Sequence, residues 1–355
     1  MVRCSFCGSL FKKKLSNSNI FEQLVCPHCL KRINRHKLTL GIGILHYKES
    51  EDDILRMLMS IDSQKRFDFS VLDLIVVTDE GGNKLDTEYI DSHLKNIKPR
   101  YLGRKRTKCS CGCGGNRNTI MKTLETDYVM FMDSDDVLHS NKVLSRIYKK
   151  INKYRPDLYC SCMREQLANG KFLTYNDLMS LNMTHGKAFK KDAFLRYNIW
   201  FDETIRVGED LVCLAQFYNV CDNIYFDSGL ISYDWLYNVK SITRNTGIDM
   251  ALDSYYRCFW TTMPELNEWY RQIINKENKF INTKFITMMY NILYYRIKLT
   301  SKTGSELQEK YLKEFFKYTI YPIDFELSDE LDRSLNRKLL RHMEYFSSAY
   351  KRYSE

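Results

Sequence analysis

The segment Asp127-Tyr-Val-Met-Phe-Met-Asp133-Ser-Asp135-Asp136 constrains this chain more than any other. Val129 to Met132 form an apolar run too short for a helix of its own, which predicts a buried strand. Three carboxylates follow at once, and like charges that close repel unless a cation neutralises them. In an open α/β sheet, ligands collect beyond the carboxyl ends of the strands. An Asp133-x-Asp135 pair there suits a hard divalent ion, Mg²⁺ or Mn²⁺, which takes oxygen ligands and shares them with substrate phosphates. The plain alternative is an acidic turn capping the next helix.

The flanking sequence alternates strand and helix patterns. Thr39–His46 predicts a first buried strand. Ser50, followed by Glu51, Asp52 and Asp53, is a helix start with acids in its first turn. Val71–Val77 predicts a second strand, ending at Thr78-Asp79-Glu80-Gly81-Gly82. After a further helix, Arg100-Tyr-Leu is a short third strand. Asn116 to about Thr126 predicts the helix that feeds the strand ending at Asp133, and Ser140 is the expected cap of the helix Asn141–Tyr154. This β-α repetition predicts an α/β fold with a mostly parallel sheet and helices on both faces. Such a sheet gathers Asp79, Arg117, Asp133 and Asp135 at one edge, a nucleotide site in outline. Residues 244–355 lack strand alternation, and Phe285, Met288, Met289, Ile292, Leu293 and Ile297 recur at helical spacing. That region is expected to be helical.

Cys4-Ser-Phe-Cys7 and Cys26-Pro-His-Cys29 are two C-x₂-C knuckles, and four thiolates at this spacing read as one closed structural Zn²⁺ site. About 36 residues bury too little core to fold without such a staple. With no signal-peptide pattern and no apolar run approaching a membrane span, the cytoplasm is the expected compartment. Twelve cysteines there are metal ligands and thiols rather than disulfides. Cys109, Cys111 and Cys113 could join Cys160 and Cys162 in a second zinc site, against packed or exposed thiols.

The net charge of +10 is concentrated. Residues 1–40 hold eight Lys or Arg against Glu22 alone, and residues 98–108 hold six with no acid. Two basic patches on a near-neutral body suggest polyanion contacts at defined places, with solubility as the bland reading. The basic ribbon fits either a nucleic-acid or protein contact or a cap packed on the next domain.

Ile75-Val-Val-Thr-Asp79, Gly115-Asn-Arg-Asn118, Phe131-Met-Asp-Ser-Asp-Asp136 and Gly208-Glu-Asp-Leu211 stand in the order and spacing of one family. Gly186-Lys-Ala-Phe-Lys190 and Ile231-Ser-Tyr with Ser241-Ile-Thr243 look like its later segments. Over roughly 39–243 the chain resembles the family 2 glycosyltransferases of the GT-A, Rossmann-like fold. It departs from them at Thr78, where many members have Asp, and in the Cys-rich loop 109–113. The resemblance implies that Asp79 contacts the donor nucleobase, uracil first, and that Arg117 steadies the nucleotide. Asp133 would touch ribose or metal, Asp135 the metal bridging the diphosphate, and Asp136 would orient them or cap the following helix. Asp210 would be the catalytic base of an inverting transfer, supported by Glu209. The simpler reading of Glu209 and Asp210 is an acid pair in a helix's first turn.

The organisation expected is thus a zinc ribbon at 1–36, a glycosyltransferase domain at 37–243 and a helical region at 244–355. The function expected is a metal-dependent hexosyltransferase using a nucleotide sugar, with a hydroxymethylated pyrimidine in DNA, as in some bacteriophages, as the acceptor. DNA would be met through the ribbon and residues 98–108. Surface glycans or proteins are alternative acceptors, and a non-catalytic nucleic-acid-binding protein is the alternative of a different class. If the knuckles hold zinc, Cys4→Ser releases about one Zn²⁺ per chain and exposes residues 1–36 to proteolysis; metal content by atomic emission and limited digestion check this.

Overall fold

The computed structural model describes residues 2–3, 10–11, 37–106, 112–175, 183–204, 208–220, 223–239 and 241. Cys4, Cys7, Cys26, Cys29, Cys109, Cys111 and residues 244–355 lie outside them, so the ribbon and the helical region do too. Within 1–36, β1 (Val2–Arg3) pairs antiparallel with β2 (Leu10–Phe11). The chain divides into two compact units. One holds residues 1–176, 184–200 and 220–237; the other holds 177–183, 201–219 and 238–355.

The first unit is built on a mixed sheet. β3 (Leu40–His46) lies between β4 (Leu72–Asp79) and β6 (Tyr128–Asp133), parallel to both, and β5 (Arg100–Arg104) extends the parallel set beside β4. The parallel half is as expected. Beyond β6 the sheet changes sense: β10 (Lys187–Lys190) is antiparallel to β6 and to β8 (Leu158–Gln166). β11 (Ile224–Trp235) runs parallel to β8 and pairs antiparallel with β7 (Val137–Leu138). β9 (Phe172–Tyr175) pairs with β8 alone.

β3 is buried along its whole length. Helix α3 (Gly112–Thr123) approaches it at two glycines. A Cβ on Gly43 would lie 2.2 Å from Ile120 Cγ2, and one on Gly41 2.8 Å from Leu124 Cδ1, just past the helix end. Gly41 and Gly43 share one face of the strand, so the bare backbone lets the helix side seat directly on the sheet. Asp127 ties the bases of β3 and β6 together: Thr39 N–H and Oγ1–H donate to its carboxylate at 2.8 and 2.9 Å.

Helix α1 (Glu51–Asp62) starts where expected, and Ser50 and Asp53 close a reciprocal capping box. Two expected helix starts move. α3 begins at Gly112 rather than Asn116, because the glycines after the basic block are themselves helical. α4 (Val143–Tyr154) begins two residues later than expected, with no side-chain cap at Lys142; Ser140 contributes only its backbone carbonyl, to Val143 N–H. α2 (Thr87–Ser92) and α5 (Lys191–Arg196) are short connectors. In the second unit, α6 (Glu209–Val220) carries the acid pair in its first turn.

His46, at the end of β3, is buried between Thr78 Oγ1 at 3.0 Å and the Glu49 carbonyl at 3.3 Å. Burial depresses its pKa below the ordinary 6.5, with Glu49 opposing weakly. The folded state therefore holds the neutral ring while the unfolded chain takes up a proton. The stability this contributes is present above 6.5 and is lost as pH falls from there toward the depressed pKa. Unfolding followed from pH 7.5 to 5 should show a slope of up to about 1.4 kcal/mol per pH unit, which His46→Gln removes.

Candidate active site

The parallel strands deliver their last residues to one edge. Register pairs His46 with Thr78, Leu45 with Asp133 and Asp79 with Arg104. Asp79 and Asp133 thus flank β3, about 10 Å apart by strand spacing.

Asp79 is buried and fully engaged. Arg104 Nη1 donates to Oδ1 at 2.8 Å; Arg106 donates to Oδ2 from Nε at 2.8 Å and from Nη2 at 2.6 Å. Glu80 N–H adds a bond to Oδ1 at 3.0 Å. These donors fill the acceptor capacity of a carboxylate. The Arg104 guanidinium lies against Gly115, where a Cβ would sit 1.9 Å from Nη2. Arg106 also lies over the Tyr47 ring, 5.0 Å from its centroid. Two cations of the basic block are therefore spent on Asp79, and Arg100 is spent on Asp73 at 2.8 Å. Lys98 and Lys105 are exposed, and Lys108 lies outside the described residues.

The acidic loop after β6 is the second half of the site. Asp133 is about one-third exposed and lies 3.6 Å from Arg117 Nη2 and 3.2 Å from His185 Nε2. Burial opposes its ionisation, but the hydrogen bond from His185, with Arg117 nearby, wins and holds its carboxyl below the ordinary range. Asp136 is fully buried. It accepts from Tyr233 O–H at 2.8 Å and from Leu236 N–H at 2.8 Å. Burial, with Asp135 and Asp133 adding their charge, pushes its carboxyl well above the usual range. Asp135 is half-buried, and its carbonyl accepts from Arg56 Nη2 at 2.8 Å.

Among the described residues, ligand atoms of Asp133, Asp136 and His185 lie within 4.8 Å of one another. Asp133 and Arg117, two of the residues expected at one sheet edge, lie 3.6 Å apart. The metal-competent cluster, however, takes Asp136 and His185 alongside Asp133, with Asp135 outside it. His185 went unread in the sequence, although it directly precedes the Gly186-Lys187 segment. Its Nδ1 is buried without a hydrogen-bond partner, so in this state the ring is satisfied only through Nε2. Two carboxylates and an imidazole fit a divalent ion, and a 2+ charge would offset both the burial and the neighbouring carboxylates that raise Asp136. Glu209 is buried and Asp210 half-buried, both in the second unit.

Residues 42–206 match the model of Glycosyl transferase family 2. Over those residues the chain resembles a family 2 glycosyltransferase domain. S. aureus TarS 1-349 in complex with UDP-GlcNAc superposes with a TM-score of 0.64 at 17% identity, covering 81% of this chain and 83% of that one. Its complex with UDP gives 0.61 at 16% identity, covering 79% and 81%. Against the longer TarS chain the score is 0.59, with 81% of this chain and 50% of that one covered. No curated protein matches the sequence. The likeness establishes the GT-A-like fold, and the family domain makes the chain a hexosyltransferase-type enzyme, as expected. No helix among the described residues is long and apolar enough to cross a membrane.

The two arginines on Asp79 differ in burial, since Arg104 is enclosed and Arg106 about one-third exposed. In denaturant unfolding, Arg104→Ala should cost about 3 kcal/mol, because it strips a partner from a buried carboxylate. Arg106→Ala should cost under about 1 kcal/mol. Equal losses would mean that the Asp79 cluster is not the buried anchor described.

Proposed function

We propose that this chain transfers a sugar from a nucleotide sugar, a UDP-sugar first, to an acceptor hydroxyl, using a divalent cation at Asp133, Asp136 and His185. The observation that carries the reading is the convergence of these three groups at the carboxyl end of β6 within a family 2 domain. That the TarS neighbours were solved with UDP and UDP-GlcNAc supports the choice of donor. The imidazole in the donor set favours Mn²⁺ over Mg²⁺, which prefers all-oxygen surroundings. Asp135, next to the cluster, is the candidate to approach the cation when donor is bound.

A bound cation would stabilise the departing diphosphate as a Lewis acid. The chain's own groups do the rest. His185, with Arg117 nearby, holds Asp133 ionised, and Arg117 offers positive charge beside the donor phosphates. Tyr47, just past the end of β3, carries Arg106 over its ring, so a nucleobase stacking there beside Asp79 would displace that guanidinium. For Asp79 to accept from uracil N3–H, Arg106 must give up a place on Oδ2. Asp210 is proposed as the base: it takes the acceptor hydroxyl's proton as the new C1–O bond forms and the C1–O bond to the diphosphate breaks, inverting C1. Glu209 supports that carboxylate.

The acceptor reading changes weight. Arg100, Arg104 and Arg106 are paired with carboxylates, so residues 98–108 offer a duplex less free charge than six unpaired cations would. A hydroxymethylated pyrimidine in DNA then depends on residues 1–36 as a zinc-held basic module. A glycan or protein hydroxyl needs no such module.

The deciding experiment offers a panel of nucleotide sugars with Mn²⁺ or Mg²⁺ to hydroxymethylated DNA, unmodified DNA and oligosaccharides, and reads products by mass spectrometry. Transfer should be faster with Mn²⁺. Asp133→Asn and Asp210→Asn should each reduce it by a factor on the order of 10²–10⁴. Unchanged turnover in Asp210→Asn would remove the base assignment; absence of donor turnover with every acceptor would favour a binding protein on this scaffold.

A further inference from the structure

Resting on the cation reading above, we infer that Tyr233 is a positioning residue for the metal centre: one phenol from β11 sets the geometry of all three candidate ligands. Its hydroxyl accepts from Asp133 N–H at 3.0 Å and donates to Asp136 Oδ2 at 2.8 Å. Its ring stacks on His185, with centroids 4.7 Å apart and planes 27° from parallel. Tyr233 itself is buried.

A buried tyrosine needs a single partner to satisfy its hydroxyl. This one spends both its lone pair and its proton on the same acidic loop, spanning the turn in which Asp136 N–H returns to the Asp133 carbonyl at 3.3 Å. The two bonds define the distance between the Asp133 backbone and the Asp136 carboxylate. With Leu236 N–H on Oδ1, the Tyr233 hydroxyl leaves Asp136 no free rotation about χ2. The third ligand is held by the same strand. Tyr233 and Trp235 are two apart on β11 and so share a face. Both rings lie against His185, Trp235 at 6.0 Å between centroids.

The strand is a firm support. β11 pairs with β8 in parallel and with β7 in antiparallel register, and Tyr233 itself stands opposite Met163 and Leu138. The cluster is thus oriented from a sheet, not from within its own loop. Groups that orient metal ligands without touching the ion typically change affinity 10–100-fold when removed. Tyr233→Phe keeps the ring and its stacking but deletes both bonds of the hydroxyl.

The test is Mn²⁺ binding to the full chain, followed without turnover by the electron paramagnetic resonance of free Mn²⁺. Wild type should bind one ion at this site, and Asp133→Asn should abolish it. Tyr233→Phe should raise Kd about 10–100-fold, and saturating Mn²⁺ should restore most of kcat. In Asp136→Asn, which already loses the carboxylate that Tyr233 holds, adding Tyr233→Phe should weaken binding by clearly less than it does in wild type. Circular dichroism of the metal-free variants monitors folding. A Tyr233→Phe Kd within twofold of wild type, or full additivity with Asp136→Asn, would overturn the inference while leaving the cation site standing. Failure of wild type to bind Mn²⁺ would remove the cation site and the inference together.

Discussion

Everything at the site follows from placing Asp133, Asp135 and Asp136 just past a strand that is itself out of water. The loop cannot relax its repulsion by swinging into solvent, because Asp136 is enclosed and Ser134 N–H is bonded to the Leu45 carbonyl at 3.1 Å. The charge must be handled where it lies. Arg117 and His185 draw Asp133 to its ionised form, and Tyr233 and Leu236 donate to Asp136. The outcome is unequal: burial and its neighbours disfavour ionisation of Asp136, while Asp133 stays charged. Such a loop is poised for a cation, because a 2+ charge resolves in one step what the protein's own donors resolve in part.

The same constraint is met differently two strands away. Asp79 is also deeply buried, but it is neutralised by Arg104 and Arg106 rather than shared among carboxylates. Gly115 makes this possible, since any side chain there would displace the Arg104 guanidinium. The edge of the sheet therefore presents a saturated acid at Asp79 and an unsaturated acidic group at Asp133–Asp136.

The parallel half of the fold was legible because its signals are local. The capping box at Ser50 and Asp53, the apolar runs of β3, β4 and β6, and the acids after β6 all sit within windows of a few residues. The helical Gly112–Gly115 segment was not legible, since glycine's low helix propensity argues for a loop and tertiary packing overrode it. The partners of Asp79 were hidden for another reason. A block of like charges reads as solvent-facing until register is known, although two parallel strands ending at Asp79 and Arg104 did offer a clue. His185 and Tyr233 were invisible as a pair with Asp133. They stand 52 and 100 residues from it, and only the antiparallel insertion of β10 and the return of β11 bring them there.

That division of labour explains why the motif region alone underdescribes the centre. Residues 39–136 supply nearly all the charge: Asp79, Arg104, Arg106, Arg117 and the acidic loop. Residues 184–237 supply direction, through an imidazole, a phenol and a backbone N–H at Leu236. Charge is cheap to place at the end of a parallel strand, because the strand ends converge by topology. Direction is not, because a carboxylate on a loop rotates freely unless something rigid holds its oxygens. In this domain the rigid element is β11, and the precision of the acidic cluster is inherited from a strand whose own neighbouring acid, Asp234, is engaged by Arg164 and His139 instead.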